Sequence, residues 1–188
     1  MTTAPRPLLT GVPVLETARL ILRAPETRDF EPFATYSASA RARFTGGPLD
    51  RASAWRSFCH LTGHWIHRGY GLFVIEARDD GRALGSAGPF FPEGWPEPEI
   101  GWTLWSPRDE GRGYAFEAAG AARAYAYDIL GWQTAISLID ADNHRSQALA
   151  RRLGCAPEGE GAVMGSACTI WRHPAAETQA DGGLEAYA

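Results

Sequence analysis

Apolar and polar positions change period several times along the chain, and each change marks an element. Ala115, Ala118, Ala119, Ala122, Ala126 and Ile129 recur at i, i+3, i+4, i+7, i+11 and i+14. That spacing draws one helical face, with Gly131 placed to end the helix. Over residues 51–68, Trp55, Phe58, Thr62, Trp65 and Ile66 share one side of a second helix, opened by Asp50 as N-cap and closed before Gly69. In that phase His60, His64 and His67 form a stripe that faces solvent. A weaker helical pattern covers 27–38, and a short helix runs from Asn143 to Leu153, where Gly154 stops it.

The remaining apolar runs are short and bounded by turn residues, as strands are. They lie at 19–23, 71–77, 83–91, 100–105, 134–139 and 167–172, with Asp79-Asp80-Gly81 as a turn between the second and third. Pro89, Pro92, Pro96 and Pro98 make 89–98 a rigid irregular loop. The order is strand, two helices, three strands, helix, strand, helix, strand. It predicts an α/β (α+β) domain, a mixed sheet with helices on both faces. Residues 1–14, with Pro5, Pro7 and Pro13, read as a loose arm; 15–174 form a single domain; 175–188 lack periodicity and read as a flexible tail.

Composition narrows function more than fold. The 188 residues carry 18 basic and 22 acidic side chains, for a net charge of −4, which argues against a nucleic-acid binder that relies on a basic surface. Every one of the 18 cations is arginine. The absence of lysine removes P-loop nucleotide binding, kinase chemistry and Schiff-base catalysis. Cys59, Cys155 and Cys168 are odd in number and show no zinc-like spacing. His60, His64 and His67 lack the glutamate of a His-Glu-x-x-His site, so no metal is expected. No apolar run reaches the length of a membrane span. The chain reads as a reduced, soluble, cytoplasmic protein.

The chemistry concentrates between the strand ending at Trp105 and the alanine-rich helix, in Ser106-Pro107-Arg108-Asp109-Glu110-Gly111-Arg112-Gly113-Tyr114. A glycine-rich turn leading from a strand into a helix N-terminus presents free N–H groups and the positive end of the helix dipole to an anion. Gly111 and Gly113 allow a pyrophosphate close to the backbone, and Arg108 and Arg112 can add charge-assisted contacts. As a dinucleotide fingerprint the turn fails, because Phe116 stands where Gly or Ala is required.

Arg108-x-x-Gly111-x-Gly113 resembles the Q/R-x-x-G-x-G/A signature of the GNAT superfamily of N-acetyltransferases. Glu99-Ile100-Gly101-Trp102-Thr103-Leu104, the following GRGYAFEA, Asn143-x-x-Ser146 with Leu149 and Arg152-Leu153-Gly154, and Gly85-x-x-Gly88 are similar to its RimJ/RimL-like branch. Glu110 departs from that pattern, which often has an aromatic residue there, and puts a carboxylate beside an anion site.

The resemblance implies a mostly antiparallel sheet whose strands around 101–105 and 134–139 splay apart to admit acetyl-CoA. Trp102, Thr103, Leu104 and Trp105 would pair with the pantetheine arm. Arg108, Glu110, Gly111, Arg112, Gly113 and Tyr114 would surround the pyrophosphate, and Asn143 and Ser146 would lie near the thioester. It implies acetyl transfer to a primary amine by direct attack through a tetrahedral intermediate. An ammonium with pKa near ~10 must first lose a proton. Glu99 is the candidate base, or else a substrate anchor, and Ser146 the candidate acid for the leaving thiolate. A backbone N–H near Thr103 would hold the oxyanion. Phe90, Phe91, Glu93, Trp95 and Glu97 make an acidic, aromatic loop suited to a cationic acceptor. A protein N-terminus, an aminoglycoside or a polyamine would each suit it. The competing reading is a non-catalytic acyl-CoA-binding module, and oligomeric state, a homodimer included, is open.

Overall fold

The structure is a computed structural model that describes residues 9–163 and 165–176. Its eight strands are β1 (Leu15–Glu16), β2 (Leu20–Arg23), β3 (Phe73–Ala77), β4 (Ala83–Phe90), β5 (Glu99–Leu104), β6 (Ile136–Ile139), β7 (Ala156–Val163) and β8 (Ser166–Arg172). They form one open sheet in the order β1-β2-β3-β4-β5-β6-β8-β7. Neighbours run antiparallel except β5 and β6, which are parallel. The helices are α1 (Phe30–Ser37), α2 (Arg51–Arg68), α3 (Tyr114–Asp128) and α4 (His144–Arg152).

β3 shows why the sheet is covered twice. Phe73 and Ile75 pack with Tyr114, Ala118 and Ala122 of α3, while Val74 between them packs with Tyr36 and Ala42 on the other side. A strand buried on both faces reads as an unbroken apolar run rather than an alternation. The alanines of α3 behave as their spacing predicts: Ala118, Ala119, Ala122 and Ala126 are fully buried, and their small size lets the helix lie close to the sheet. Ile129 does not follow them. The helix ends at Asp128, so Ile129 leaves the buried face and is 71% exposed.

α2 has the predicted limits, with Asp50 accepting from Ser53 N–H at 2.6 Å, but a different buried face. Ala54, Phe58, Leu61, His64 and Trp65 point inward, while Trp55 and Ile66 are exposed. The expectation that His64 faces solvent is therefore corrected. Its ring is buried because both nitrogens are satisfied: Nδ1 lies 2.7 Å from Tyr70 O, and Nε2 accepts from Phe91 N–H at 3.0 Å. A histidine with two backbone partners can occupy a core position at little cost.

Two strands escape the sequence pattern. β1 is only Leu15–Glu16, and β7 (APEGEGAV) holds a proline and two glycines, against ordinary strand preference. It persists as an edge strand on β8, where a missing N–H is tolerated. Of the expected loose arm, Leu9 and Val12 pack against the core. Of the expected tail, Ala176 N–H donates to Gln133 O at 3.0 Å. Residues 1–8 and 177–188 lie outside the described residues. Among the described residues no helix is long and apolar enough to cross a membrane.

Candidate active site

Parallel pairing between β5 and β6 consists of one register pair, Glu99 with Ile136. Ile136 N–H still donates to Pro98 O at 3.0 Å, but the next rung is made by side chains. Leu138 N–H donates to Glu99 Oε1 at 3.1 Å, and Ser137 Oγ donates to Ile100 O at 2.7 Å. A side chain in place of each missing backbone partner keeps these groups satisfied while the strands part.

Behind this seam lies a buried chain of polar groups. His173 Nε2 is 3.0 Å from Ser137 Oγ, and Arg123 donates to His173 Nδ1 at 3.3 Å. Arg123 has only hydrogens to offer, so Nδ1 must accept and Nε2 carries the proton. Burial, with the charges of Arg123 and Arg172 beside it, pushes the His173 pKa down to about 3.

Glu99 sits at the apex of the opening and is half-buried. Its Oε2 accepts from Trp95 Nε1 at 2.6 Å. Desolvation raises its pKa above the usual carboxylate range, and the hydrogen bonds from Trp95 and Leu138 offset part of that rise.

At the other end of β5 the chain enters the glycine turn. Ser106 caps a 3-10 turn over Pro107–Asp109, and Asp109 is fully buried, gripped by Arg82 through two bonds of 2.9 and 3.0 Å. Gly111 and Gly113 hold φ of 71° and 81°, left-handed values that exclude most side chains. Gly113 is the N-cap of α3, and no side chain caps the helix. A Cβ on Gly113 would also come within 3.2 Å of Arg19 Nη2. Beneath the strand, a Cβ on Gly85 would stand 2.0 Å from Thr103 O, so only glycine lets β4 approach β5 this closely.

A cavity of about 320 Å³ opens at this end. It gathers Trp102, Thr103, Leu104, Glu110, Gly111, Gly113, Tyr114, Asn143 and Ser146 from the residues expected in the site. Asn143 Oδ1 accepts from Ser146 N–H at 3.3 Å and so caps α4. Trp105 is buried behind the strand against Phe33. Arg108 and Arg112 are exposed on the outer side of the turn, Arg112 lying 5.1 Å from the centre of the Tyr114 ring.

The cavity also takes in Tyr36, Arg41, Phe44 and Thr45, from the end of α1 and the 3-10 segment Ala40–Thr45, together with Arg145 and Arg152 of α4. Nothing periodic marks residues 40–45. On α4, Arg145, Leu149 and Arg152 recur at i, i+4 and i+7, a signal that could have been found. Tyr36 Oη lies 2.8 Å from Thr45 Oγ1, and burial raises its pKa.

Phe90, Phe91, Glu93, Trp95 and Glu97 do not line this cavity. Phe90 stacks on His64 at 4.8 Å, Arg68 lies over Phe91 at 5.2 Å, and Glu93 is paired with Arg68 at 3.4 Å. Glu97 accepts two bonds from Arg172, which hold its pKa low. Glu99 lies outside the lining as well, at the apex where Trp95 holds it.

A family model described as an acetyltransferase (GNAT) domain matches residues 19–156. Among solved structures, an acetyltransferase from Agrobacterium tumefaciens is 34% identical, with a TM-score of 0.80 over 90% of this chain and 99% of that one. A putative GnaT-family acetyltransferase from Bordetella pertussis is 29% identical, with a TM-score of 0.72 over 86% and 99%. A putative ribosomal-protein-serine acetyltransferase from Vibrio cholerae shares the fold at 18% identity, with a TM-score of 0.71 over 85% and 95%.

Proposed function

The chain belongs to the GNAT acetyltransferase family, and on that premise we propose that it is an acetyl-CoA-dependent N-acetyltransferase whose acceptor is a primary amine. The observation that carries this reading is the amino end of α3, left without a side-chain cap behind Gly111 and Gly113 and opening on the cavity. Free N–H groups at a helix start suit a pyrophosphate, and glycine lets it approach them. The fit extends to Arg41, whose buried Nε has no hydrogen-bond partner among the described residues.

Gly111, Gly113 and Tyr114 would hold the pyrophosphate, with Arg108, Arg112 and Glu110 around it. The main chain of Trp102 to Trp105 would pair with the pantetheine arm, and Asn143 and Ser146 would flank its thioester end. Bound there, acetyl-CoA supplies an acetyl group activated as a thioester. Glu99 takes the proton of the acceptor ammonium, directly or through water. Its desolvated setting makes it a stronger base than an exposed carboxylate. A backbone N–H near Thr103 polarises the acetyl carbonyl. As the C–N bond forms and the C–S bond breaks, Ser146 would relay the second proton shed by the acceptor nitrogen to the departing sulfur, giving one proton and regaining one. Trp95 positions Glu99, while Phe90, Phe91, Glu93 and Glu97, which do not line the cavity, would meet the acceptor only outside it.

The RimJ/RimL-like motif order makes a protein N-terminus the first acceptor to try, with small cationic amines after it. Thiol release from acetyl-CoA is measured with N-terminal peptides and pooled amines. Release that depends on one of them is expected. Binding of acetyl-CoA without release by any acceptor would reduce the protein to an acyl-CoA-binding module.

A further inference from the structure

Glu110 is the residue whose charge is wrong for an anion site, and its surroundings give it a role. The carboxylate does not point to open solvent. One oxygen pairs with Arg41 Nη2 at 2.7 Å and the other with Arg145 Nη1. Arg41 comes from the 3-10 segment after α1, Arg145 from the first turn of α4 and Glu110 from the turn before α3. All three line the cavity, and the two ion pairs tie three separate elements together at its wall.

Arg41 is anchored from behind, since its Nη2 also donates to Leu104 O at 3.0 Å. Its Nε–H is buried with no hydrogen-bond partner among the described residues, a donor left without an acceptor on a side chain that lines the cavity. A buried donor without a partner is rare in a folded protein and calls for an acceptor, which a ligand oxygen can supply.

We propose that Glu110 is an internal stand-in for a phosphate: it occupies Arg41 and Arg145 while the cleft is empty, and a phosphate group of the incoming cofactor displaces it. The inference rests on the coenzyme reading above and adds Arg41 and Arg145 to the groups that receive the phosphates. Without the cofactor, two guanidinium groups beside a partly desolvated cavity would repel each other and the helix start, and the carboxylate neutralises them. With the cofactor, each phosphate brings more charge and more acceptor oxygens than one carboxylate, so the guanidinium groups change partner. Because Glu110 is tethered to the turn, it competes at a high effective concentration whatever the cofactor level. The arrangement thus weakens phosphate binding and makes entry selective for a ligand charged enough to break both pairs.

The test is calorimetric titration of wild type and Glu110→Gln with acetyl-CoA and with S-acetylpantetheine, which has the same acyl arm and no phosphate. Glutamine keeps the shape and removes the competing charge. Glu110→Gln should bind acetyl-CoA about three- to tenfold more tightly, the yield of weakening one or two partly exposed pairs, and bind S-acetylpantetheine as wild type does. Arg145→Gln should weaken acetyl-CoA alone and cancel the gain when combined with Glu110→Gln. Unchanged or weaker acetyl-CoA binding by Glu110→Gln overturns the proposal, because the carboxylate then holds the arms in place rather than competing for them. An equal gain for S-acetylpantetheine overturns it too, since the effect would then not be read through phosphate. Failure of the wild type to bind acetyl-CoA at all is a separate result, and it removes the coenzyme reading itself.

Discussion

At its carboxyl end β5 runs into a turn that offers main-chain N–H groups at the uncapped start of α3, whereas at its amino end it is joined to β6 by side chains. The first end depends on two positive-φ glycines and on the buried Asp109 held by a half-exposed Arg82, with the paired charges of Glu110, Arg41 and Arg145 beside it. The second depends on Glu99, Ser137, His173 and Arg123, three of which are buried and one half-buried. An anion site built from backbone tolerates change in nearby side chains but not in conformation. A proton-handling site built from side chains, as proposed for Glu99, would be the reverse: its backbone is ordinary strand, and each polar group in it would matter.

The sharpest way to break that contrast is at Glu99. Glu99→Gln keeps a hydrogen-bonding partner for Leu138 but loses basicity, and turnover should fall by about 10²–10⁴ with acetyl-CoA affinity within a few-fold of wild type. The loss should shrink as pH rises, because more of the amine is then already neutral. Near-wild-type turnover at neutral pH in steady-state kinetics would end the base assignment. Lost acceptor affinity with unchanged turnover would make Glu99 an anchor.

At the opposite end the corresponding change is conformational. Gly113→Val forces a branched residue to φ near 81°, a strain of about 1–3 kcal/mol. Acetyl-CoA binding should weaken by about 10- to 100-fold while the circular dichroism spectrum stays that of the folded protein. A folded variant with unchanged calorimetric affinity would remove the pyrophosphate from this turn.

The smallest effect sharpens the comparison through pH. His173 has a folded pKa of about 3 against 6.5 when unfolded. The unfolded chain therefore binds the extra proton, and stability is complete above pH 6.5 and falls as pH drops towards 3. That costs about 1.4 kcal/mol per pH unit, or about 2 kcal/mol at pH 5. Urea melts of His173→Gln should show a shallower acid loss than wild type. Part of the slope should remain, because burial also lowers the pKa of His64. Identical slopes would mean that His173 titrates in the fold as it does in the unfolded chain.

The same contrast decided what could be read from the sequence. The turn was legible because closely spaced glycines between an apolar strand and an alanine-striped helix have a local cause. The seam was not, because its bonds join residues 36 to 50 positions apart and no local pattern announces them. Motif resemblance singles out Glu99, which the seam includes, but not Ser137, His173 or Arg123. For α2 the sequence predicts the limits but not the rotation: the large apolar Trp55 and Ile66 outweigh a histidine whose backbone partners at Tyr70 and Phe91 are visible only once the sheet is built. The segment 40–45 contributes Arg41 and Thr45 to the cavity through a 3-10 turn too short to carry a period.

β7 has a consequence for how the protein behaves at high concentration. An open sheet has two borders, and each is an invitation for another chain to add itself as a further strand. On one border stands β1, only Leu15–Glu16, too short to template a neighbour. On the other stands β7, where Pro157 withholds a donor, the register shifts between Pro157 and Gly159, and Glu158 and Glu160 place carboxylates along the rim. The residues that make β7 a poor strand in the sequence also make its outer edge a poor template for a further strand.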